Sequence, residues 1–445
     1  MIDKIARSVA DALADTPDGA TVLIGGFGTA GIPNELIDGL IEQGAKDLTV
    51  VNNNAGNGDA GLAALLKAGR VRKIICSFPR QADSHVFDGL YRSGKLELEL
   101  VPQGNLAERI RAAGAGIGAF FCPTGYGTEL AGERETRVID GRHYVLEYPI
   151  HGDLALIKAE CGDRWGNLVY RKAARNFGPV MAMAAKKTAS PRRRAVSRRQ
   201  REHEPPRSSL RVFTAPRGGE CLSRGGSSRG MTMGYQRRTK DQLAARVAQD
   251  IFDGAVVNLG IGQPTLVANH LPAGREVILH SENGILGMGP APAEGAEDYD
   301  LINAGKQPVT LLPGGAFFHH ADSFAMMRGG HLDICVLGAF QVSATGDLAN
   351  WSTGEPGAIP AVGGAMDLAI GAKQTWVMMD LLTKKGESKV VERCSYPLTG
   401  IGCVKRVYSD LATLECTPQG LKLIDKVDGL DHAELERLVG LPIAY

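Results

Sequence analysis

The sequence predicts an α/β protein made of two similar open domains, each with a mostly parallel sheet flanked by helices. Three observations lead there. Short β-rich runs alternate with helical patterns in both halves, a glycine-rich turn opens each half, and a basic stretch without periodicity separates them. A chain of 445 residues also exceeds what one hydrophobic core ordinarily serves.

In the first half, TVLIG precedes the helical pattern IPNELIDGLIEQG. LTVVNN, KIICSF and LELELVPQG follow as strands, with ALLKAG and LAERIRAAG as helical pieces between them. In the helix after Gly31, Pro33 suits the first turn and Gly44 the stop. Leu36, Ile37, Leu40 and Ile41 make one apolar stripe, while Glu35, Asp38 and Glu42 face water. The second half repeats the scheme: helix TKDQLAARVAQDIF, strand AVVNLG, helix QPTLVANHL, then strands VILHSE, DICVLGAF and TWVMMD. DGATV at Asp18 and DGAVV at Asp253 each precede a glycine-rich turn, which suggests an ancient duplication.

The expected boundaries are a first domain over 1–185, a linker over 186–230 and a second domain over 231–445. The linker carries 13 Lys or Arg against three Glu, a local charge of +10 within a chain whose net charge is +1, so the remaining residues are acidic. Rich in Arg, Ser, Pro and Gly, it reads as disordered. It lacks interleaved aromatics and any reading module, so nucleic-acid binding is not expected. Its composition resembles a GC-rich coding region read out of frame. Residues 219–223 are compatible with a shifted Gly-Val-Phe-Val, and Met231 or Met233 would then begin a separate polypeptide.

No apolar run approaches the roughly 20 residues that span a bilayer, and the opening MIDKIARSVADALAD reads as an amphipathic helix, so a cytoplasmic location is expected. The eight cysteines are dispersed without a CxxC pair. They read as reduced thiols, and no metal site is expected.

Two motifs carry chemistry. In LHSENGILG, residues 279–287, a strand ends in a polar cluster and turns through Gly284, placing Glu282 where open α/β sheets bind ligands. An arbitrary glutamate at such a place would cap a loop. In DGATVLIGGFGTAGIP, residues 18–33, Gly26, Gly28 and Gly31 satisfy GxGxxG between strand and helix. A nicotinamide cofactor is discounted, because the next strand ends in Asn52, Asn53 and Asn54 where an acid would be wanted for the ribose.

SENG followed by two aliphatic residues and Gly resembles the active-site signature of class I coenzyme A transferases, and the GGF triplet at Gly25, Gly26 and Phe27 resembles that family's other subunit pattern. The resemblance extends through VPQGNLAERIRAAGAGIGAF, PTGYGTEL, DRWGNLVYRKAARNFG, NLGIGQPT and VGGAMDLA, nearly the whole chain outside the linker. It implies a CoA transferase with both subunit types fused, Glu282 as covalent nucleophile, and coenzyme A as substrate and covalent intermediate without another cofactor. Gln103 and the backbone at Gly363, Gly364 and Ala365 would hold the developing oxyanion. Gly26, Phe27, Gly28, Asn53, Asn54 and Asn283 are further candidates for substrate or CoA contact.

Within the family, SFPRQADSHVFDGLYRSGKLELELVPQGNLAER is most similar to transferases acting on 3-oxoadipate with succinyl-CoA as donor, with acetoacetate the competing acceptor. Acyl-CoA hydrolysis and a non-catalytic ligand-binding regulator are the other functions weighed. The partners implied are acyl-CoA and carboxylic acids, with a homo-oligomer or a pseudo-heterodimer between the halves. Arg80, Arg171 and Arg175 are cationic candidates for a distal carboxylate, among which sequence does not choose. His319 and His320 stay outside the catalytic set.

Overall fold

The computed structural model describes residues 3–191, 193–194, 234–355 and 357–445. The first sheet has six strands, in the order Ala185–Ala189, Gly152–Leu156, Thr21–Ile24, Leu48–Val51, Val71–Cys76 and Glu97–Leu100. All its pairings are parallel. Such a sheet needs cover on both faces, and its two faces do lie in two separate apolar clusters. Val22, Ile24, Leu48 and Val50 pack with Ile37 and Leu40 of the helix Asn34–Gln43. Leu23, Val51 and Ile75 pack with Leu106 and Ile110 of the helix Gln103–Gly114. The stop of Asn34–Gln43 is Gly44 in the left-handed conformation, as its sequence suggests.

The second sheet has ten strands. Its parallel centre runs Ile278–Ser281, Val256–Leu259, Ile334–Leu337, Gln374–Met379 and Val404–Ser409. Antiparallel pairing extends it on both sides, through Ile285–Met288 and Leu311–Phe317 at one end and Ala412–Thr417 and Gly420–Lys426 at the other. The two sheets share an order. Leu48–Val51, Thr21–Ile24, Gly152–Leu156 and Ala185–Ala189 lie side by side as do Ile278–Ser281, Val256–Leu259, Ile334–Leu337 and Gln374–Met379. The echo between the two DGA turns therefore has a topological counterpart.

Two expectations shift. Residues 186–189, assigned by composition to the linker, belong to the strand Ala185–Ala189. It pairs with Gly152–Leu156 and exposes Lys186 and Thr188 while Ala189 enters the core. Charge misled there because the strand lies at a sheet edge, where one side of each residue stays wet. The pattern QPTLVANHL forms a 3₁₀ helix, Gln263–His270, entered through Gly262 at φ 90° with Pro264 at its start. The rest of the expected linker, from residue 195 on, lies outside the described residues. Seven cysteines are described, and all are unpaired. Among the described residues no helix is long and apolar enough to cross a membrane, and no cluster of His, Cys, Asp or Glu could hold a metal.

The halves meet through polar and apolar contacts. Arg171 forks onto Asp298 with two bonds of 2.6 Å and reaches Asp300 at 3.1 Å, and Lys172 joins Asp298 at 2.6 Å. These pairings hold the Asp298 carboxyl well below the usual carboxylate range, Arg171 contributing most. Phe27, Ala30 and Ala174 of the first half pack against Ile302 of the second. Gly31 lies under this joint: at φ 75°, an added Cβ would stand 2.6 Å from Ala174 O and 2.8 Å from Asn176 Nδ2.

Gly44→Ala should cost about 1 kcal/mol, the penalty of a left-handed residue alone, since nothing crowds an added Cβ within 3.9 Å there. Gly31→Ala carries the same penalty plus displacement of the joint. Thermal melts should therefore rank wild type above Gly44→Ala and Gly44→Ala above Gly31→Ala; equal losses would mean that the joint yields freely.

Candidate active site

Glu282 occupies the tight turn between the strands Ile278–Ser281 and Ile285–Met288. The turn closes through Gly284 N–H donating to Ser281 O at 3.0 Å. Gly284 sits at φ 101°, where an added Cβ would collide with Phe318 O. Its flanks are locked. Ser281 Oγ donates to Asn283 Oδ1 at 2.6 Å and accepts from Ala304 N at 3.0 Å, while Asn283 Nδ2 donates to Ile302 O at 2.6 Å. One strand position earlier, His280 is buried between Asn258 and Ser323, each 3.0 Å from a ring nitrogen, and burial pushes its pKa down to about 4. Asn258 Nδ2 can only donate, so His280 Nδ1 accepts and the proton sits on Nε2. This neutral imidazole anchors the strand end from which Glu282 projects.

The Glu282 carboxylate lines a cavity of about 340 Å³ between the halves. Gln103, Phe27, Asn53 and Phe78 line it from the first half, and Gly363, Gly364 and Lys306 from the second. Gly364 approaches so closely that an added Cβ would collide with Glu282 Oε2. Among the described residues its N–H meets no acceptor. Gln103 Nε2 is likewise buried and unpartnered. Gln103 favours the charged form of Glu282 while its Nε2 stops short of a formed hydrogen bond, so the donor stays free. Two unengaged N–H groups beside a carboxylate are what a developing oxyanion requires.

Burial pushes the Glu282 pKa up to about 7, and the buried Asp367 carboxylate pushes the same way; Gln103 and Lys306 oppose them. Asp367 also fixes the geometry. It accepts from Gly104 N at 2.9 Å and Thr124 Oγ1 at 3.0 Å, and Arg328 lies 3.5 Å away. Gln103 N donates to Gly363 O at 3.0 Å. The start of the helix Gln103–Gly114 is thereby docked onto the loop that carries Gly364.

Of the residues singled out from sequence, Glu282, Gln103, Gly363, Gly364, Ala365, Phe27 and Asn53 line this cavity. The others stand behind it. Asn283 ties its own turn, Asn54 Oδ1 accepts from Gly56 N at 2.9 Å, and Gly26 N–H donates to Asn176 Oδ1 at 3.1 Å. Gly28 backs onto the Lys306 side chain. Ala365 N–H points to Val362 O at 3.4 Å.

The three arginine candidates are outside the cavity lining. Arg80 pairs with Asp88 at 3.1 Å, Arg171 binds Asp298, and Arg175 lies over the Tyr170 ring. His320 is packed against Phe177, ring centroids 4.0 Å apart, and burial pushes its pKa down to about 3. Sequence reasoning missed Lys306, Asp367 and Phe78. Asp367 stands inside the GGAMD run already singled out, whereas Lys306 offers only a lone charge in the turn NAGKQP.

The sequence profile of the family described as Coenzyme A transferase matches residues 6–194 and 240–428. Human mitochondrial succinyl-CoA:3-ketoacid coenzyme A transferase 2 is 42% identical over 463 aligned residues, covering 97% of this chain and 88% of its own length. Two Pseudomonas putida proteins, the paired subunits of 3-oxoadipate CoA-transferase, match the halves separately. The counterpart of the first half is 72% identical over 186 residues, covering 42% of this chain and 80% of its own length. The counterpart of the second half is 68% identical over 208 residues, covering 47% and 97%. The crystal structure of an acyl-CoA transferase apoenzyme from Escherichia coli O157:H7 superposes with a TM-score of 0.74 over 100% of this chain and 94% of that one. At 20% identity it speaks for the fold.

Because the folded pKa of Glu282 exceeds its ordinary 4.5, ionisation disfavours the folded state. The penalty is absent below pH 4.5 and complete above about pH 7, on the order of 3 kcal/mol. Glu282→Gln should therefore raise the melting temperature at pH 8 and leave it nearly unchanged at pH 4. A gain of the same size at both values would place the effect elsewhere.

Proposed function

Since the chain belongs to the coenzyme A transferase family and is a CoA transferase, we propose that it moves coenzyme A from succinyl-CoA to a 3-oxoacid, with 3-oxoadipate as the acceptor and Glu282 as the nucleophile. The observation that carries the mechanism is the buried Glu282 carboxylate beside the free N–H groups of Gln103 and Gly364. The acceptor is favoured by the separate likeness of the two halves to the two chains of a 3-oxoadipate transferase, at 72% and 68% identity. A cytoplasmic place in the breakdown of aromatic compounds follows from that acceptor.

In the proposed route a Glu282 oxygen attacks the thioester carbon of succinyl-CoA. The C–S bond breaks and CoA leaves as thiolate, giving a mixed anhydride. The thiolate then attacks the glutamyl carbonyl carbon, the C–O bond to succinate breaks, and a glutamyl-CoA thioester remains. The carboxylate of 3-oxoadipate repeats both steps in reverse and frees Glu282. One thioester is exchanged for another, so the sequence calls for no ATP, metal or redox group.

Gln103 Nε2 and Gly364 N–H would take the negative oxygen in each tetrahedral stage. A pKa near neutrality keeps Glu282 substantially ionised while making it a stronger base than an exposed carboxylate. The two-sided cavity would keep water from the thioester; release of CoA without an acceptor acid would instead indicate a hydrolase.

Incubation with succinyl-CoA followed by peptide-mass analysis should find CoA on the peptide holding Glu282. The adduct should be discharged by 3-oxoadipate and absent from Glu282→Ala. Glu282→Asp should lose at least about a hundredfold in turnover, because the shortened carboxylate no longer reaches attack distance. In wild type, kcat/KM should fall as pH drops below about 7, and Asp367→Asn should shift that limb to lower pH. A well-folded wild-type protein that takes up no CoA would refute the route.

A further inference from the structure

Lys306 is a cation for which the resting cavity supplies no direct partner. It closes the turn after Asn303, with its N–H on Asn303 O at 2.9 Å, and holds a left-handed backbone at φ 66° that side-chain-bearing residues seldom adopt. Its methylenes run past Gly28, where an added Cβ would stand 2.9 Å from Lys306 Cγ. Its ammonium lies over the Phe78 ring, 5.2 Å from the centroid. Among the described residues Nζ makes no hydrogen bond or ion pair. The charged group facing it is Glu282, and burial holds the ammonium down to about 8.

We propose that Lys306 binds the distal carboxylate of a dicarboxylic acid substrate and so selects dicarboxylates over monocarboxylates of equal length. The proposal rests on the thioester route above. While Glu282 is free, its negative charge compensates Lys306 across the cavity. Conversion to the thioester removes that charge and leaves a poorly hydrated cation facing the empty acid site, so a carboxylate arriving there replaces the lost counter-charge.

Phe78 joins Lys306 to the loop that carries Gly364. One part of its ring packs against Gly363, where an added Cβ would be 3.4 Å away, and the ammonium sits over its face. The ring thus lies against both Gly363 and Lys306 in the wall of the cavity. An acid whose reacting carboxylate is held at Gln103 and Gly364 would direct its far end along that wall toward Lys306.

The test uses the full chain loaded with CoA from succinyl-CoA, comparing discharge by succinate, by butyrate and by neutral hydroxylamine in wild type, Lys306→Met and Lys306→Arg. Wild type should prefer succinate to butyrate. Lys306→Met should lose at least about tenfold of that preference, as expected for a lost charge-assisted bond. Lys306→Arg should retain most of it, and discharge by hydroxylamine should be alike in all three. Equal slowing of succinate and butyrate would overturn the assignment to the distal carboxylate, and equal slowing of all three nucleophiles would reduce Lys306 to a structural element. If wild type itself acquires no CoA, the thioester route fails first, which is distinguishable because it precedes any effect of Lys306.

Discussion

On the proposed route Glu282 must be charged to act, and it is held where charge is costly. Withdrawal from water and the neighbouring Asp367 both oppose its ionisation; Lys306 and Gln103 partly offset them. The remaining architecture follows from that balance. A carboxylate on an open strand end would be hydrated and weakly basic, and one buried in apolar surroundings alone would stay protonated. Lys306 comes from the same half as Glu282, and closing that half against the first adds Gln103 and further desolvation.

The join is accordingly polar where it matters to the site and apolar behind it. Asp367 grips the backbone of Gly104, Gln103 bonds Gly363, and Ser77 O accepts from both Val362 and Gly363 at 3.1 Å. These bonds set the separation of Gln103 from Gly364 without occupying the donors that face Glu282. Further out, the paired aspartates of the second half clasp Arg171 and Lys172. Part-exposed ionic contacts of this kind contribute modestly to stability, and their use is to fix one register of two surfaces.

The outlines of this arrangement are written in local sequence. Alternating apolar runs mark the strands of both sheets, Gly44 ends its helix, and SENG with the GGF triplet points to the cavity. What local sequence does not carry is which residues meet across the join. Lys306 and Asp367 matter because of what they face, and each comes from a segment whose own pattern says little. Arg171 and Arg80 show the converse. An arginine in a promising motif reads as a ligand for carboxylate until the fold supplies it with an aspartate of its own. Asn283, adjacent to Glu282 in sequence, is turned away from it because a tight turn sends neighbouring side chains in different directions.

The shared strand order has a consequence for how many reactions one molecule can hold at once. Ile278–Ser281 and Leu48–Val51 occupy equivalent places in their sheets, and their registers against Val256–Leu259 and Thr21–Ile24 put Glu282 of one and Asn53 of the other at the same station. Asn53 lines the same cavity, accepts from Ser77 Oγ at 2.7 Å and has no carboxylate to offer. Two halves of like strand order thus meet at a single crevice, one bringing Glu282 and Gly364 and the other Gln103 and Asn53. On the proposed route, one half carries the group that takes up CoA and the other completes its surroundings, so a full complement of CoA would be one per polypeptide.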